Sequence, residues 1–231
     1  MALPASPLVS VVVPVLDDAR AVASLLARCP PHPRVEILVV DGGYDVRLDV
    51  LAGERVDVRL LRCPAGRSRQ MNAGAGAAVG AWLLFVHADS TLPLGWQAEM
   101  EGLGPEVVGG WFRFALDDDA WQARWLERMV AWRVRWLQLP YGDQGIFVRR
   151  TTFEALGGYP DIPLMEDVAL VRRLVRAGAV QQIPLPLMTS ARRWRTDGWF
   201  RRSARNVCLV SLYFAGVSPD RLARFYERRN V

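Results

Sequence analysis

The chain contains 231 residues, of which 51% are hydrophobic and 23% charged, so it is long enough for one substantial core and does not belong to the disordered class. Its formal net charge is +5, and apart from two histidines every basic residue is an arginine. The absence of lysine excludes a lysine Schiff base and a lysine-dependent phosphate loop. It favours bidentate binding of phosphate or carboxylate groups by arginine.

The first ninety residues alternate between apolar runs rich in β-branched residues and segments with a helical pattern. The alternation predicts an α/β fold with right-handed crossovers and a mostly parallel sheet. The predicted strands are Leu8–Val15, Val35–Val40, Val56–Leu61 and Ala81–Val86. The predicted helices are Ala19–Cys29, Val46–Gly53 and Ser68–Val79.

The second half predicts longer helices and fewer strands. The strands are Val107–Ala115, Gly145–Val148 and a strand-like segment, Val180–Leu187, that Pro184 and Pro186 interrupt. The helices are Asp119–Leu139, Thr151–Leu156, Glu166–Ala177 and two basic helices, Trp199–Phe214 and Pro219–Arg229. No linker separates the halves. We therefore expect one domain, with a nucleotide-binding half at about 8–90 and an acceptor-binding half at about 91–231.

Acidic residues follow three of the predicted strands. Asp17 and Asp18 end the first strand, Asp41 the second, and Asp89 the fourth. Ligands of open α/β sheets bind beyond the carboxyl ends of the strands, so these groups are expected on one rim. Asp18 is also a good N-cap for the following helix. Clustered carboxylates require a compensating cation, and Mg2+ or Mn2+ held together with substrate phosphates satisfies this requirement.

The order of several short motifs then resembles one enzyme family. The stretch 9–18 resembles the opening strand of the family 2 glycosyltransferases, and 39–43 their second strand end. The segment 67–74 resembles their arginine- and asparagine-bearing helix, 85–89 their DxD element, and Gly142–Gly145 with Glu166 and Asp167 their acceptor-side segments. The resemblance covers about residues 8–195. It is closest to short bacterial members labelled arsenosugar-biosynthesis glycosyltransferases.

The resemblance implies a GT-A fold, a nucleotide-sugar donor, a divalent metal and inversion at the sugar carbon. Asp167, with its neighbour Glu166, is the candidate general base, at a helix N-terminus whose dipole favours a carboxylate. A helix cap is the alternative role for this pair. Asp89 is the candidate metal ligand. His87 replaces the first aspartate of the usual DxD, and either contacts the donor or is structural.

Two further sets of residues complete the expected site. Asp41 is expected to accept a hydrogen bond from the donor base, while Arg67 is expected to reach the diphosphate. The donor set is Pro14, Leu16, Asp17, Asp41, Gly42, Arg67, Asn72, His87 and Ala88. The acceptor set is Trp111, Asp143, Gln144, Arg192, Arg193 and Trp194.

The predicted helix at 119–139 carries Trp121, Trp125, Trp132 and Trp136 within one arc, with arginines beside them. A core-facing stripe, a groove for an acceptor or a lipid, and a dimer surface are the three readings of this pattern. The basic segment 192–229 is compatible with anionic lipid headgroups. No motif supports a nucleic-acid partner.

Cysteine usage and the chain ends predict the compartment. Cys29, Cys63 and Cys208 have neither disulfide nor metal spacing, which favours a reducing cytoplasm. Residues 1–7 lack the features of a signal peptide, and the apolar run 207–217 is too short to span a bilayer. We expect a cytoplasmic protein with optional peripheral contact at the inner face of the membrane.

Two other functions remain compatible with the sequence. One is a nucleotidyltransferase on a similar sheet, although that class requires a glycine-rich basic loop where this chain has 14–18. The other is a non-catalytic module that binds nucleotide sugars or a membrane surface.

Overall fold

The computed structural model describes residues 8–227. An eight-stranded sheet runs through it in the order β3-β2-β1-β4-β7-β6-β8-β5. The strands are β1 Val9–Val15, β2 Val35–Asp41, β3 Val58–Arg62, β4 Trp82–Phe85, β5 Ser90–Thr91, β6 Val107–Leu116, β7 Ile146–Arg149 and β8 Ala179–Thr189. Strands β1 to β4 are mutually parallel, whereas β7 pairs antiparallel with both β4 and β6.

Within residues 8–227, ten α-helices flank the sheet, together with a short 3-10 turn at Gly142–Gln144. The first six are α1 Ala19–Arg28, α2 Arg47–Gly53, α3 Arg67–Ala77, α4 Trp96–Glu101, α5 Trp121–Leu137 and α6 Arg150–Ala155. The other four are α7 Glu166–Ala177, α8 Arg192–Asp197, α9 Trp199–Phe214 and α10 Pro219–Glu227. Two predictions extend outside the described residues. They are the last two positions of the helix predicted at 219–229 and the absence of a signal peptide at 1–7.

The predicted α/β architecture is confirmed. The order β3-β2-β1-β4 follows from parallel pairing of short apolar strands through helical crossovers. Apolar side chains on both faces of the central strands form two large core clusters, one beneath α1 and α2 and the other beneath α3 and α7. The predicted cap is also present, because the Asp18 carboxylate accepts a hydrogen bond of 3.0 Å from the Ala21 amide.

Buried polar groups hold the neighbouring strands β1 and β2 together. Ser10 in β1 donates a hydrogen bond of 2.6 Å to Glu36, which stands opposite it in β2. At the other end of the same pair, the Gln70 side-chain amide donates to the main-chain carbonyls of Val15 and Val40, at 2.6 and 2.8 Å. This double contact fixes the carboxyl ends of β1 and β2 against α3, on the rim where ligands of such sheets bind.

The interrupted segment at 180–187 is a continuous strand of eleven residues. Its parallel pairing with β6 shifts between Phe112 and Arg113, where the partners change from Ile183 to Pro186. Pro184 therefore lies in a bulge, and its carbonyl accepts a hydrogen bond from the Arg113 side chain. The prolines are tolerated because this irregularity removes the requirement for their missing amide donors.

No helix within residues 8–227 is both long enough and apolar enough to cross a membrane.

Candidate active site

A cavity of about 150 Å³ lies beyond the carboxyl end of β4. Its walls come from elements that are far apart in the sequence: the start of α3, the β4–β5 connection, the 3-10 turn, the start of α7 and the C-terminal helices. Its polar lining residues are Arg67, His87, Asp89, Tyr141, Asp143, Glu166, Asp167, Thr189, Ser190, Arg193, Arg202, Asn206 and Tyr226. The sheet therefore brings most of the predicted catalytic and metal-binding side chains to one place.

The candidate base is anchored by a loop. Asp167 is the second residue of α7, and its Oδ2 accepts a hydrogen bond of 2.7 Å from the Gly142 amide. Its Oδ1 accepts from the amide of Val168. A Cβ atom at position 142 would lie 3.2 Å from His87 Nε2 and 3.4 Å from Asp167 Oδ2, so the glycine permits both side chains to approach the loop.

Glu166 occupies a different environment from its neighbour. Its side chain is buried and forms an ion pair of 3.4 Å with Arg67. Burial and the adjacent Asp167 raise the pKa of Glu166 to about 7, although Arg67 opposes the shift. Glu166 lines the same cavity as Asp167, and its ion pair places Arg67 at the cavity wall. Its share in catalysis stays a prediction.

Asp143 and Asp89 provide two further carboxylates. Asp143 has one buried oxygen, Oδ1, without a hydrogen-bond partner. Burial raises the pKa of Asp143 to about 6, and Asp167 and Asp89 act in the same direction against the effect of Arg133 and Arg67. Asp89 is exposed at the cavity wall, and its carboxylate accepts no hydrogen bond within the described part of the chain.

Among residues 8–227 no group of three or more histidine, cysteine, aspartate or glutamate side chains could hold a metal ion by itself. A divalent cation at Asp89 would therefore depend on oxygen ligands from a substrate. This is the usual way in which Mg2+ is bound next to phosphate groups. The exposed, unpartnered carboxylate of Asp89 fits that type of site.

His87 is partly buried beside these groups. Burial lowers its pKa to about 3, and Arg67 and Arg193 act in the same direction. The imidazole is consequently neutral at physiological pH. It can exchange one hydrogen bond as donor and one as acceptor, and it does not repel the arginines around it.

The predicted donor-base contact of Asp41 is not supported by its geometry. Asp41 is fully buried, and its two carboxylate oxygens accept the amides of Gly43 and Asp45 at 2.9 and 3.3 Å. It therefore builds the turn after β2. Asp17 completes that turn by accepting the Tyr44 amide at 3.2 Å, and its side chain occupies the space that a Cβ on Gly43 would need.

The other predicted donor residues are dispersed. Leu16 is exposed at the end of β1, and Ala88 packs against the core. Pro14 borders a small void that it shares with Arg67 and His87, and Gly42 closes against Gln70. Asn72 is structural, because its amide group exchanges two hydrogen bonds with the main chain of Tyr159. Of the donor set, Arg67 and His87 alone line the larger cavity.

The predicted acceptor set also divides. Asp143, Arg193 and Trp194 line the cavity, whereas Arg192 is exposed outside it. The other two residues are buried away from the cavity. Trp111 is 4% exposed and packs in the cluster beneath α5, and Gln144 is fully buried with its amide donating to the carbonyl of Phe112. Both point into the protein because the pleat of β6 and the tight 3-10 turn direct them away from the cavity.

Sequence reasoning missed the residues that roof the cavity. Arg202 and Asn206 of α9 and Tyr226 of α10 line it from above. Although burial raises the pKa of Tyr226, Arg202 and Arg193 outweigh that effect and lower it. The basic composition of this segment signalled an anionic partner, but it did not distinguish a residue facing the cavity from one facing solvent.

Residues 10–102 match the family described as Glycosyl transferase family 2. The matched segment contains the β1, β2 and β4 ends and Asp89, but it ends before Asp143 and Asp167. No curated protein matches the sequence significantly.

Solved structures of similar fold extend the comparison over most of the chain. The mannosyltransferase PcManGT from Pyrobaculum calidifontis, in complex with GDP-Man and Mn2+, superposes with a TM-score of 0.67 at 18% identity, over 94% of this chain and 67% of that one. Residues 1–349 of TarS from S. aureus, in complex with UDP-GlcNAc, give 0.62 at 13% identity, over 79% of this chain and 58% of that one. A longer TarS structure gives 0.61 at 13% identity, and 93% of this chain spans only 41% of it. The fold is that of the GT-A glycosyltransferases.

Proposed function

We propose that this chain is an inverting family 2 glycosyltransferase that moves a sugar from a nucleoside diphosphate to a hydroxyl acceptor, with the aid of Mg2+ or Mn2+. One observation carries the proposal. The candidate metal ligand Asp89 and the candidate base Asp167, which come from different halves of the chain, line the same cavity together with Arg67 and Arg193. The family match over residues 10–102 and the donor complexes of similar folds support the same reaction.

Asp89 would hold the cation, with the donor diphosphate supplying further oxygen ligands. Its exposure and its lack of a hydrogen-bond partner in the described chain leave its oxygens free for this role. When bound, the cation supplies charge neutralisation at the departing diphosphate. Arg67 and Arg193 reinforce that effect, since both guanidinium groups face the cavity and arginine binds phosphate oxygens bidentately.

Asp167 is the proposed general base. The acceptor oxygen forms a bond to the sugar carbon on the face opposite the leaving group, while the bond from that carbon to the diphosphate oxygen breaks. The acceptor proton passes to Asp167, whose Oδ2 is held by the Gly142 amide. A base positioned in this way contributes roughly 10²–10⁴-fold to the rate. Asp143 binds and orients the acceptor hydroxyl from the adjacent turn.

The dimensions of the cavity limit what it can contain. Its volume of about 150 Å³ is below the roughly 300–1,000 Å³ of typical ligand sites. The reacting sugar carbon and the acceptor hydroxyl would therefore occupy it, while the nucleoside lies outside, over the ends of β1 and β2. Displacement of the roof formed by α9 and α10 would provide additional room.

Donor binding is tested by thermal-shift measurements with UDP-, GDP- and dTDP-sugars, with and without Mn2+. We expect one class of donor to raise the melting temperature only when the metal is present. The variant Asp89→Asn should lose this metal-dependent shift, whereas Asp119→Asn, which alters an exposed carboxylate outside the cavity, should retain it. Failure of every donor under every metal condition would exclude the proposal.

Transfer is tested with the donor that binds. Asp167→Asn should still show the thermal shift but lose at least about 100-fold in kcat. Release of a nucleoside diphosphate, with the sugar recovered on the acceptor, identifies glycosyl transfer. A nucleotidyltransferase would instead form the nucleotide sugar from a nucleoside triphosphate and a sugar 1-phosphate, and would release pyrophosphate. The chain is a binding module if it binds the donor without turnover and if Asp167→Ala changes none of these measurements.

A further inference from the structure

The outer surface of α5 carries a row of aromatic side chains that face solvent. Trp121, Trp132 and Trp136 are 57–66% exposed, and Trp125 and Met129 are 39% and 45% exposed. The residues of α5 that face the core are Ala123, Leu126, Val130 and Val134. At 100° per residue the tryptophans lie opposite that buried face, so the row projects directly away from the protein.

A residue of α9 extends this row sideways. Phe200 is 52% exposed, and its ring lies 6.0 Å from that of Trp121 and 5.3 Å from that of Trp125. We call Trp121, Trp125, Met129, Trp132, Trp136 and Phe200 the aromatic platform. Monomeric proteins rarely expose contiguous apolar surfaces of this type without an interaction partner.

The charges within the two helices that carry the platform are mostly positive, although the exposed Asp119 lies two residues before Trp121. The two helices contain seven arginines, four in α5 and three in α9, and one acidic residue, Glu127. Glu127 is withdrawn from the surface, because it accepts the Leu116 amide at 2.8 Å and pairs with Arg124. Arg128, Arg135 and Arg201 are exposed. None of these three has an ion-pair partner among residues 8–227.

We propose that the aromatic platform docks this chain on an anionic lipid surface. Tryptophan rings prefer the boundary between headgroups and acyl chains, and arginines at the edge of the platform would contact lipid phosphates. In this arrangement α5 and α9 would lie in the plane of the membrane surface, as amphipathic helices do. This proposal goes beyond glycosyl transfer and does not depend on it.

The platform also has a defined position relative to the cavity. Arg202, Asn206 and Leu209 line the cavity from α9, and they lie on the side of that helix opposite Phe200 and the exposed Val207. At Phe200, only the thickness of α9, about 10 Å, separates the platform from the cavity. Docking would therefore place the cavity next to the lipid headgroups.

The test is flotation of the purified full chain with vesicles of phosphatidylcholine alone or containing about one-third phosphatidylglycerol, at low and high ionic strength. We expect binding to the anionic vesicles only, weakened by salt, with a blue shift of the tryptophan fluorescence. The double variants Trp132→Ala/Trp136→Ala and Arg128→Gln/Arg135→Gln should each weaken binding by about tenfold or more. Both alter exposed side chains, so the melting temperature should change little.

Matched controls lie outside the platform. The double variant Val56→Ala/Leu94→Ala removes two exposed apolar side chains elsewhere on the surface. The variant Arg20→Gln removes an exposed arginine elsewhere. Neither control should change vesicle binding. Wild-type protein that fails to float with anionic vesicles would overturn the proposal. So would equal binding by the platform variants. The wild-type protein could instead form a dimer and bind no vesicles. If Trp132→Ala/Trp136→Ala dissociated that dimer, the platform would be a self-association surface.

Discussion

The main-chain amide of Gly142 donates a hydrogen bond of 2.7 Å to Oδ2 of Asp167, and it does so from a turn that belongs to a different wall of the cavity. The bond joins the loop after α5 to the first turn of α7. It leaves the Asp167 side chain with one defined orientation. The position of the proposed base therefore depends on a main-chain amide rather than on another side chain.

Gly142→Ala should reduce transfer activity without unfolding the protein. The added Cβ would lie 3.2 Å from His87 Nε2, so the imidazole or the turn must shift by a few tenths of an ångström. It would also lie 3.4 Å from Asp167 Oδ2, at the limit of ordinary contact, so a shift of the turn would disturb the hydrogen bond that positions this carboxylate. We expect a loss of roughly tenfold or more in kcat, because small displacements of reacting groups have large effects on rate. Steady-state kinetics and a melting curve check this. Gly76→Ala, where an added Cβ meets nothing within 4 Å, is the control and should keep full activity.

Glu166→Gln should change how stability depends on pH. In the folded protein the pKa of Glu166 is raised from its ordinary value of 4.5 to about 7 by burial. Between these values the folded state binds more protons than the unfolded state, so the free energy of unfolding decreases as pH rises through this window. Glutamine does not titrate, so the variant should lose this decrease, by on the order of 1–3 kcal/mol.

Urea unfolding of wild type and Glu166→Gln at about pH 5, 6 and 7.5 measures this effect. The exposed Glu106→Gln serves as the control and should follow the wild-type dependence. Parallel wild-type and Glu166→Gln curves would show that the buried carboxylate does not titrate in this range.

Trp111→Phe should leave the acceptor KM unchanged, because Trp111 is in the core and its indole Nε1 has no hydrogen-bond partner there. Removing an unsatisfied donor offsets part of the lost packing, so the stability should change by less than about 1 kcal/mol. Trp111→Ala should instead lose about 3–5 kcal/mol. Trp194→Phe, at the cavity wall, is the comparison and should raise the acceptor KM. If Trp111→Phe raised the acceptor KM and Trp194→Phe did not, Trp111 would be an acceptor-binding residue.

Gln70→Ala should destabilise the protein by about 1–3 kcal/mol, since it removes the buried amide that donates to the carbonyls of Val15 and Val40. The Val15 carbonyl keeps its hydrogen bond of 2.9 Å from the Gly42 amide. Denaturant unfolding measures the loss. The exposed Gln181→Ala should stay within about 0.5 kcal/mol of wild type. A small effect of Gln70→Ala would mean that water replaces the lost donor.

The first half of the fold was predictable because each strand is a short apolar run that ends in a polar turn. The rim position of Asp89 followed from that pattern alone, and the family resemblance added Asp167. The role of Asp41 was not predictable, because the sequence does not show that the amides of Gly43 and Asp45 occupy its oxygens.

The second half was less predictable, because tertiary contacts decide its geometry. The spacing of the tryptophans in α5 fixed which side chains share a face, but it did not decide whether that face meets the core or solvent. The structure excludes the core reading, since small and branched residues occupy the buried face. The roof over the cavity was equally inaccessible, because it depends on α9 and α10 packing against α7 through residues such as Leu209 and Leu222.

Strands β1 and β2 are buried on both faces and consist almost entirely of branched apolar residues, VSVVVPV and VEILVVD. A slip of one residue between two such strands would exchange one valine-type contact for another, so apolar burial specifies their alignment weakly. The Ser10–Glu36 pair at one end and the two carbonyl contacts of Gln70 at the other would both be lost in a slipped alignment. Several alignments of β1 and β2 would bury a similar amount of apolar surface. These few polar groups thus select one of them.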